Sequence, residues 1–168
     1  ETDEKKKLIG QAQEFFQKSI DEKSNFASGY YQLSVTQAAL DNLDPAIETM
    51  NKAVNLDKGN IDYFFSLARL YQQRGRDEDN KIAEAIFKKI LSVNDKEINT
   101  HFSLAMLYEK MNEPDKAIAE YNSVIAQLPA DNAEVISKVR LMIENVRSGA
   151  GNQTQTAPAA QEGQPAGQ

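Results

Sequence analysis

The chain contains no cysteine. Disulfides, thiolate metal sites and cysteine nucleophiles are therefore excluded, while reducing and oxidising surroundings both stay open. Histidine occurs once, as His101. A multi-histidine metal site cannot be built, and a His-containing catalytic dyad would have to form around that one residue. Five prolines and eight glycines punctuate 168 residues, and half of those glycines lie after Ser148. Little therefore interrupts long stretches of Ala, Leu, Glu, Lys and Gln, which favour helix. No stretch approaches the roughly 20 apolar residues of a membrane span, and no signal peptide is visible. Positive charge is in deficit, with 19 Lys and Arg against 25 Asp and Glu and a net charge of −6. Nucleic-acid backbone and anionic lipid are not expected as partners of such a segment. No glycine-rich phosphate loop precedes a helix. "DEDN" at 77–80 lacks the sixth-position glycine and twelfth-position glutamate of a calcium loop. It reads as a solvated loop whose acidic residues cap the next helix.

With 40% hydrophobic residues, the chain is too apolar to be disordered throughout and suits one unit with a real core. What fills it is a repeat. "FSLARLY" runs from Phe65 to Tyr71 and "FSLAMLY" from Phe102 to Tyr108, 37 residues apart. A third copy, "YYQLSVTQ", begins at Tyr30. Leu33, Leu67 and Leu104 coincide, each followed by a small residue: Ser34, Ala68 and Ala105. Further on, Ala46, Ala83 and Ala117 coincide, followed by Met50, Phe87 and Tyr121. The first two units start 34 residues apart and the next pair 37, with the three extra residues in "RGRDEDNK", Arg74–Lys81.

Within each unit apolar residues recur every three or four positions, the amphipathic helix signal. Each unit breaks at turn residues: "DNLDP" at 41–45, "RGRDEDN" at 74–80 and "MNEP" at 111–114. Pro45 behind Asp44 reads as a first-turn proline after an N-cap, and Gly75 as a helix stop. Each unit is thus a helical hairpin. Two antiparallel helices approach closely where small side chains face each other, which the Ser and Ala positions supply. A hairpin cannot bury both its faces alone, so neighbours stack.

This pattern resembles the tetratricopeptide repeat (TPR), a 34-residue helix-turn-helix with W-x-x-L-G-x-x-Y on its first helix. Tyr30, Phe64 and His101 hold the Trp-type position, and Ser34, Ala68 and Ala105 stand for the glycine. Tyr71 and Tyr108 match the tyrosine, from which Gln37 departs. Ala53 and Val124 match the last small position, where Ile90 is larger, and Pro129 matches the closing proline. The resemblance implies an all-α, right-handed α-solenoid of about three TPR-like hairpins. Repeats are expected over 27–60, 61–97 and 98–131. A leading half-repeat helix at 1–26, with Ala12, Phe16 and Ser19 on second-helix positions, precedes them. A capping helix at 132–147 follows, with Val135, Val139, Met142 and Val146 on one face. From Ser148 the sequence holds no Leu, Ile, Val, Met or aromatic residue, and it reads as a disordered tail.

The resemblance implies no catalytic, metal or cofactor site, and His101 reads as a packed histidine. It implies a non-enzymatic module that binds a protein or peptide on a concave wall lined by first helices. The family's inner-facing positions fall here on Tyr31, Gln32, Val35 and Ala38; on Phe65, Ser66, Arg69 and Gln72; and on Phe102, Ser103, Met106 and Glu109. Packing does not demand Phe65–Ser66 or Phe102–Ser103, so their repetition is read as a shared surface, with partial packing of both rings against adjacent hairpins as the competing reading. Three aromatics, Val35 and Met106 favour an apolar peptide or helix, with Arg69 as the one cation for a carboxylate or carbonyl. The alternatives are a groove filled by the chain itself and a homo-oligomer formed through Phe15, Phe16 and Ile20. A further alternative is a spacer or assembly domain of a larger, membrane-anchored cell-envelope protein, suggested by the opening half-repeat and a start at Glu1. The compartment is left open.

One subclass of the family grips acidic chaperone tails with a Lys/Asn/Arg clamp. Its positions fall on Tyr31, Val35, Ser66, Asn99 and Ser103, none of them basic. Acidic C-terminal chaperone peptides are expected not to bind. A fluorescence titration giving low-micromolar affinity for such a peptide would contradict this.

Overall fold

Apolar residues spaced at three and four positions place eight α-helices along the described part of the chain. The computed structural model describes residues 2–149. The helices are α1 (Thr2–Glu22), α2 (Ala27–Ala39), α3 (Leu43–Leu56), α4 (Ile61–Arg74), α5 (Asp79–Val93), α6 (Ile98–Lys110), α7 (Pro114–Gln127) and α8 (Ala133–Arg147). No strand occurs among the described residues. Each helix packs on the next, and the tightest pairs are the hairpins α2–α3, α4–α5 and α6–α7. The result is an all-α helical-hairpin solenoid. The tail expected to be disordered lies, beyond Gly149, outside the described residues.

The small residues do what close approach requires. Ser34, Ala68, Ala105, Ala46, Ala83 and Ala117 are all fully buried. In the first hairpin the Ser34 hydroxyl also donates to the Ala46 carbonyl at 2.7 Å, joining α2 to α3 where they touch. Met50, Phe87 and Tyr121 fill the space beside these crossings and are buried to 1% exposure or less. Gly29 serves the same end between α1 and α2. A Cβ there would lie 2.5 Å from Phe26 Cδ1 and 2.9 Å from Ile20 Cγ2.

The apolar interior forms three successive clusters. The first holds Ile47, Met50, Tyr63 and Leu67. The second holds Phe87, Leu104, Leu107 and Tyr108. The third holds Tyr121, Val124, Val139 and Ile143. The capping helix α8 sits a little rotated from the expected face. Val139 and Ile143 are buried, while Val135 is 45% exposed.

All three hairpin turns pass through one left-handed residue: Asp41 (φ 62°), Gly75 (φ 68°) and Asn112 (φ 57°). They share the register of the leucines. After Asp41 and Asn112, the next amide donates five residues back, Asn42 to the Gln37 carbonyl and Glu113 to the Tyr108 carbonyl, each at 2.9 Å. This is the long hydrogen bond of a Schellman stop, which satisfies a helix-end carbonyl. The middle turn departs from it. Gly75 N–H donates to the Tyr71 carbonyl, but the Arg76 N–H donates to the Asp79 carboxylate at 2.8 Å. The three extra residues follow directly.

Two expectations are corrected here. "DEDN" is not wholly a solvated loop, because Asp79 is 1% exposed. Arg74 grips its carboxylate with Nη2 at 2.6 Å and Nε at 3.0 Å. A buried carboxylate needs such a partner, since desolvation alone would oppose its charge. Asp44 is not the N-cap of α3, a place taken by Asn42. Asp44 instead reaches across to the next hairpin, accepting from Arg74 at 2.7 Å and Arg76 at 2.5 Å.

Arg74 thus ties α3, α4 and α5 together. Its bond to Asp79, opposed by burial and aided by the Arg76 amide, holds that carboxyl below its ordinary value of 3.8. Asp44 is lowered likewise, first by Arg74. A depressed folded pKa contributes stability that is present above the ordinary value and lost as pH falls through the folded one. Urea denaturation from about pH 6 to about pH 3 is therefore expected to show a loss that Asp79→Asn diminishes. At the upper pH the substitution should itself cost about 3 kcal/mol, the low end for breaking a buried pair, because Arg74 keeps Asp44. An acid profile identical in the two chains would refute the role given to Asp79.

Candidate functional site

A continuous stripe of α4 faces open space. Asp62, Phe65, Ser66, Arg69 and Gln73 follow one another at helical spacing and line one cavity of about 660 Å³. Tyr31, Val35 and Ala38 supply its α2 wall and Asn99 its α6 edge. Tyr31 is held by stacking on Tyr63, with centroids 5.2 Å apart and planes 27° apart. Tyr63 is buried against the first core cluster. Burial, then Asp57, Tyr31 and Asp62, raise its phenol pKa. Val35 is 43% exposed. Arg69 is exposed and makes no hydrogen bond or ion pair with the described residues. The cavity therefore combines an aromatic and aliphatic wall with one uncommitted cation, and carries Asp62 two turns away.

The predicted surface residues divide between this cavity and other roles. Tyr31, Val35, Phe65 and Arg69 come together in it, with Ala38 and Ser66. Gln32 is exposed on α2 outside it. Gln72 donates to the Ser103 carbonyl at 3.5 Å, bridging α4 to α6. Met106 is 50% exposed on α6, also outside the cavity. Glu109 accepts a short hydrogen bond from the Tyr121 phenol, joining α6 to α7. Burial, then Glu109, drive that phenol's pKa upward.

Phe65 and Phe102 are packing residues as well as surface ones, which favours the competing reading of the repeated pair. Phe65 lies 5.7 Å from Phe87, tilted at 55°. Phe102 meets Tyr121 edge-on at 5.7 Å. The repeated phenylalanine thus covers the large residue of its own hairpin's second helix. Sequence reasoning missed the roles of Asp62, Tyr63 and Gln73 in the lining, and named Asn99 only as a clamp position. Extending the α4 stripe by one turn at each end would have found Asp62 and Gln73.

His101 is packed. Its Nδ1 lies 2.6 Å from a Glu120 carboxylate oxygen and its Nε2 2.9 Å from the Asp95 carbonyl, which Gln127 also donates to. Both ring nitrogens are thereby engaged. No cluster of three or more potential metal ligands occurs among the described residues. No described helix is long and apolar enough to cross a membrane.

Stacked hairpins with a small residue at every close crossing define a TPR-type solenoid. Residues 16–135 match the family described as the cytochrome c-type biogenesis protein H TPR domain, and the chain belongs to that family. Among solved structures, MamA is similar at a TM-score of 0.67 and 16% identity, over 92% of this chain and 96% of that one. TTC0263, a thermophilic TPR protein of Thermus thermophilus, aligns at 0.67 and 22%, over 84% and 74% of the two chains. YrrB, a TPR protein with an unusual peptide-binding site, aligns at 0.66 and 18%, over 88% and 72%. No curated protein matches the chain.

The division between packing and surface roles has a measurable consequence. Phe102→Ala should cost about 2 kcal/mol, roughly half the value for a fully buried ring. Met106→Ala should stay within about 0.5 kcal/mol. Equal denaturation midpoints for the two variants would contradict the assignment of Phe102 to the core.

Proposed function

We propose that the cavity between α2, α4 and α6 docks an apolar peptide or helix of a partner protein. Tyr31, Val35 and Phe65 would receive its apolar side chains, and Arg69 would pair with a carboxylate or carbonyl. The observation that carries this reading is the unpaired guanidinium of Arg69 beside the apolar side chains of Tyr31, Val35 and Phe65, in a lining that also holds Asp62, Ser66, Gln73 and Asn99. A cation free of internal partners breaks no existing ion pair on binding, and Arg offers a fork of donors to one planar acceptor. Membership in a cytochrome c-type biogenesis family points to a partner handled in c-type cytochrome assembly. On this reading the chain acts by binding, without catalysis.

A second reading is favoured by α1. Leu8 and Phe15 are 60% and 65% exposed there. They suit an assembly face of a larger cell-envelope protein, with this chain as its spacer and the helix of 1–26 as half a repeat. Self-association through the same helix would appear as a doubled light-scattering mass.

The discriminating variant is Val35→Glu/Arg69→Glu, because both side chains are exposed and neither belongs to a core cluster. Quantitative pull-down from the source cells, with a haem-free c-type cytochrome also offered directly, should show partners lost selectively from the variant. The affinity loss should be tenfold or more, about 1.4 kcal/mol. Equal recovery by both chains would remove the cavity from the binding account.

A further inference from the structure

A second apolar depression lies away from the first, on the outer side of α5, and nothing in the TPR groove reading uses it. Its floor is Phe64, Ile82, Ala85 and Ile86, and it encloses about 510 Å³. Ile82 is 37% exposed. Glu78, Lys81, Ile82, Ala85, Ile86 and Lys89 recur at three and four positions, so one face of α5 forms the trough along its length.

Lys81 and Lys89 flank this floor eight residues apart, about 12 Å along the helix. Neither makes an ion pair with the described residues. Their neighbour Lys88 behaves differently, binding Glu84 at 2.6 Å. Lys89 Nζ sits 4.5 Å from the Phe64 ring centroid, so the ring holds the ammonium at the trough's edge. In a chain of net charge −6, two lysines without an ion pair among the described residues, against the one carboxylate of Glu78, leave this partly exposed apolar strip locally positive.

We propose that this outer face of α5 is a second protein-docking site, which takes an acidic amphipathic helix. An occupying helix laid along α5 would set apolar residues over Phe64, Ile82 and Ile86. Carboxylates two turns apart on its flanks would meet Lys81 and Lys89, a spacing that a helix supplies at seven or eight residues. Glu78 at the start of the trough sets the direction, because an acidic residue opposite it would be repelled. The site goes beyond the proposed partner cavity and does not depend on it.

The test uses the full chain, isotope-labelled for amide NMR. The probes are two amphipathic peptides of about 18 residues, with leucine every third or fourth position. One has glutamate on both flanks of the leucine stripe and the other lysine. The acidic peptide should shift amide resonances of α5 around Ile82–Lys89. Its affinity should fall about tenfold in Lys81→Glu/Lys89→Glu, and the lysine peptide should gain on that variant. Arg69→Glu, checked alongside, should leave the α5 shifts unchanged, which separates this site from the α2–α4–α6 cavity. Lys81, Lys89 and Arg69 are all exposed, and circular dichroism verifies that each variant is folded. An acidic peptide that moves no α5 resonance, or that binds wild type and charge-reversed chain equally, would overturn the proposal.

Discussion

The whole architecture depends on how closely two helices can approach. Each hairpin carries a Ser or Ala on its first helix and an Ala on its second, all six fully buried, and in the first hairpin the two meet directly through the Ser34–Ala46 hydrogen bond. Any larger side chain there would force the axes apart, because protein interiors leave no spare volume. The large residues Met50, Phe87 and Tyr121 are placed by that approach, since each fills the wedge beside its crossing. The rings of Phe65 and Phe102 are placed in turn by Phe87 and Tyr121. The open wall of α4 is therefore a consequence of the crossings: once Leu67 and Ala68 point inward, Arg69 is left facing outward and Phe65 lies on the flank between wall and interior.

Where the repeat is irregular, polar chemistry replaces geometry. The first and third turns close with a backbone bond five residues long. The second turn cannot, because its extra residues carry the chain away. The carboxylate of Asp79 takes the amide that would otherwise lack a partner, and Arg74 neutralises the carboxylate. Asp44 of the preceding hairpin then joins the same guanidinium. An insertion that would loosen a regular array is thereby converted into a place where three consecutive helices share a charged network.

Much of this was legible in the sequence because a repeat supplies its own alignment. Leu33, Leu67 and Leu104 fix the register, and the register fixes which residues are small, large or turned outward. All three turns were legible, but only Gly75 announced its left-handed residue. Asp41 and Asn112, equivalent to it, did not, because Asp and Asn adopt the left-handed region only where context holds them there. The partnership of Arg74 with Asp79 was hidden for a different reason. It spans a turn whose path local spacing does not specify, so two charges in a polar loop looked like any other solvated pair. Phe65 and Phe102 misled through their repetition. Identical letters outside the packing positions suggested a surface, whereas a ring on a helix flank serves wall and interior together. Of the residues expected on the concave wall, Tyr31, Val35, Phe65 and Arg69 share the lining of one cavity, and Met106 and Phe102, one hairpin further on, lie outside that lining.

The three core clusters do not stand alone. Phe64, Tyr71 and Ile86 pack against both the first and the second, and Val146 of the last helix packs against both the second and the third. In a linear array, cooperativity is set by the strength of nearest-neighbour coupling rather than by total burial. These shared side chains are the couplers. The C-terminal end is joined through Val146 to two layers at once. At the other end, α1 has α2 as its one close-packed neighbour among the described helices. Among the described helices, amide exchange should consequently be faster in α1, held on one side, than in α6, packed between two hairpin layers, so that the described array has a polarity its repeated sequence does not display.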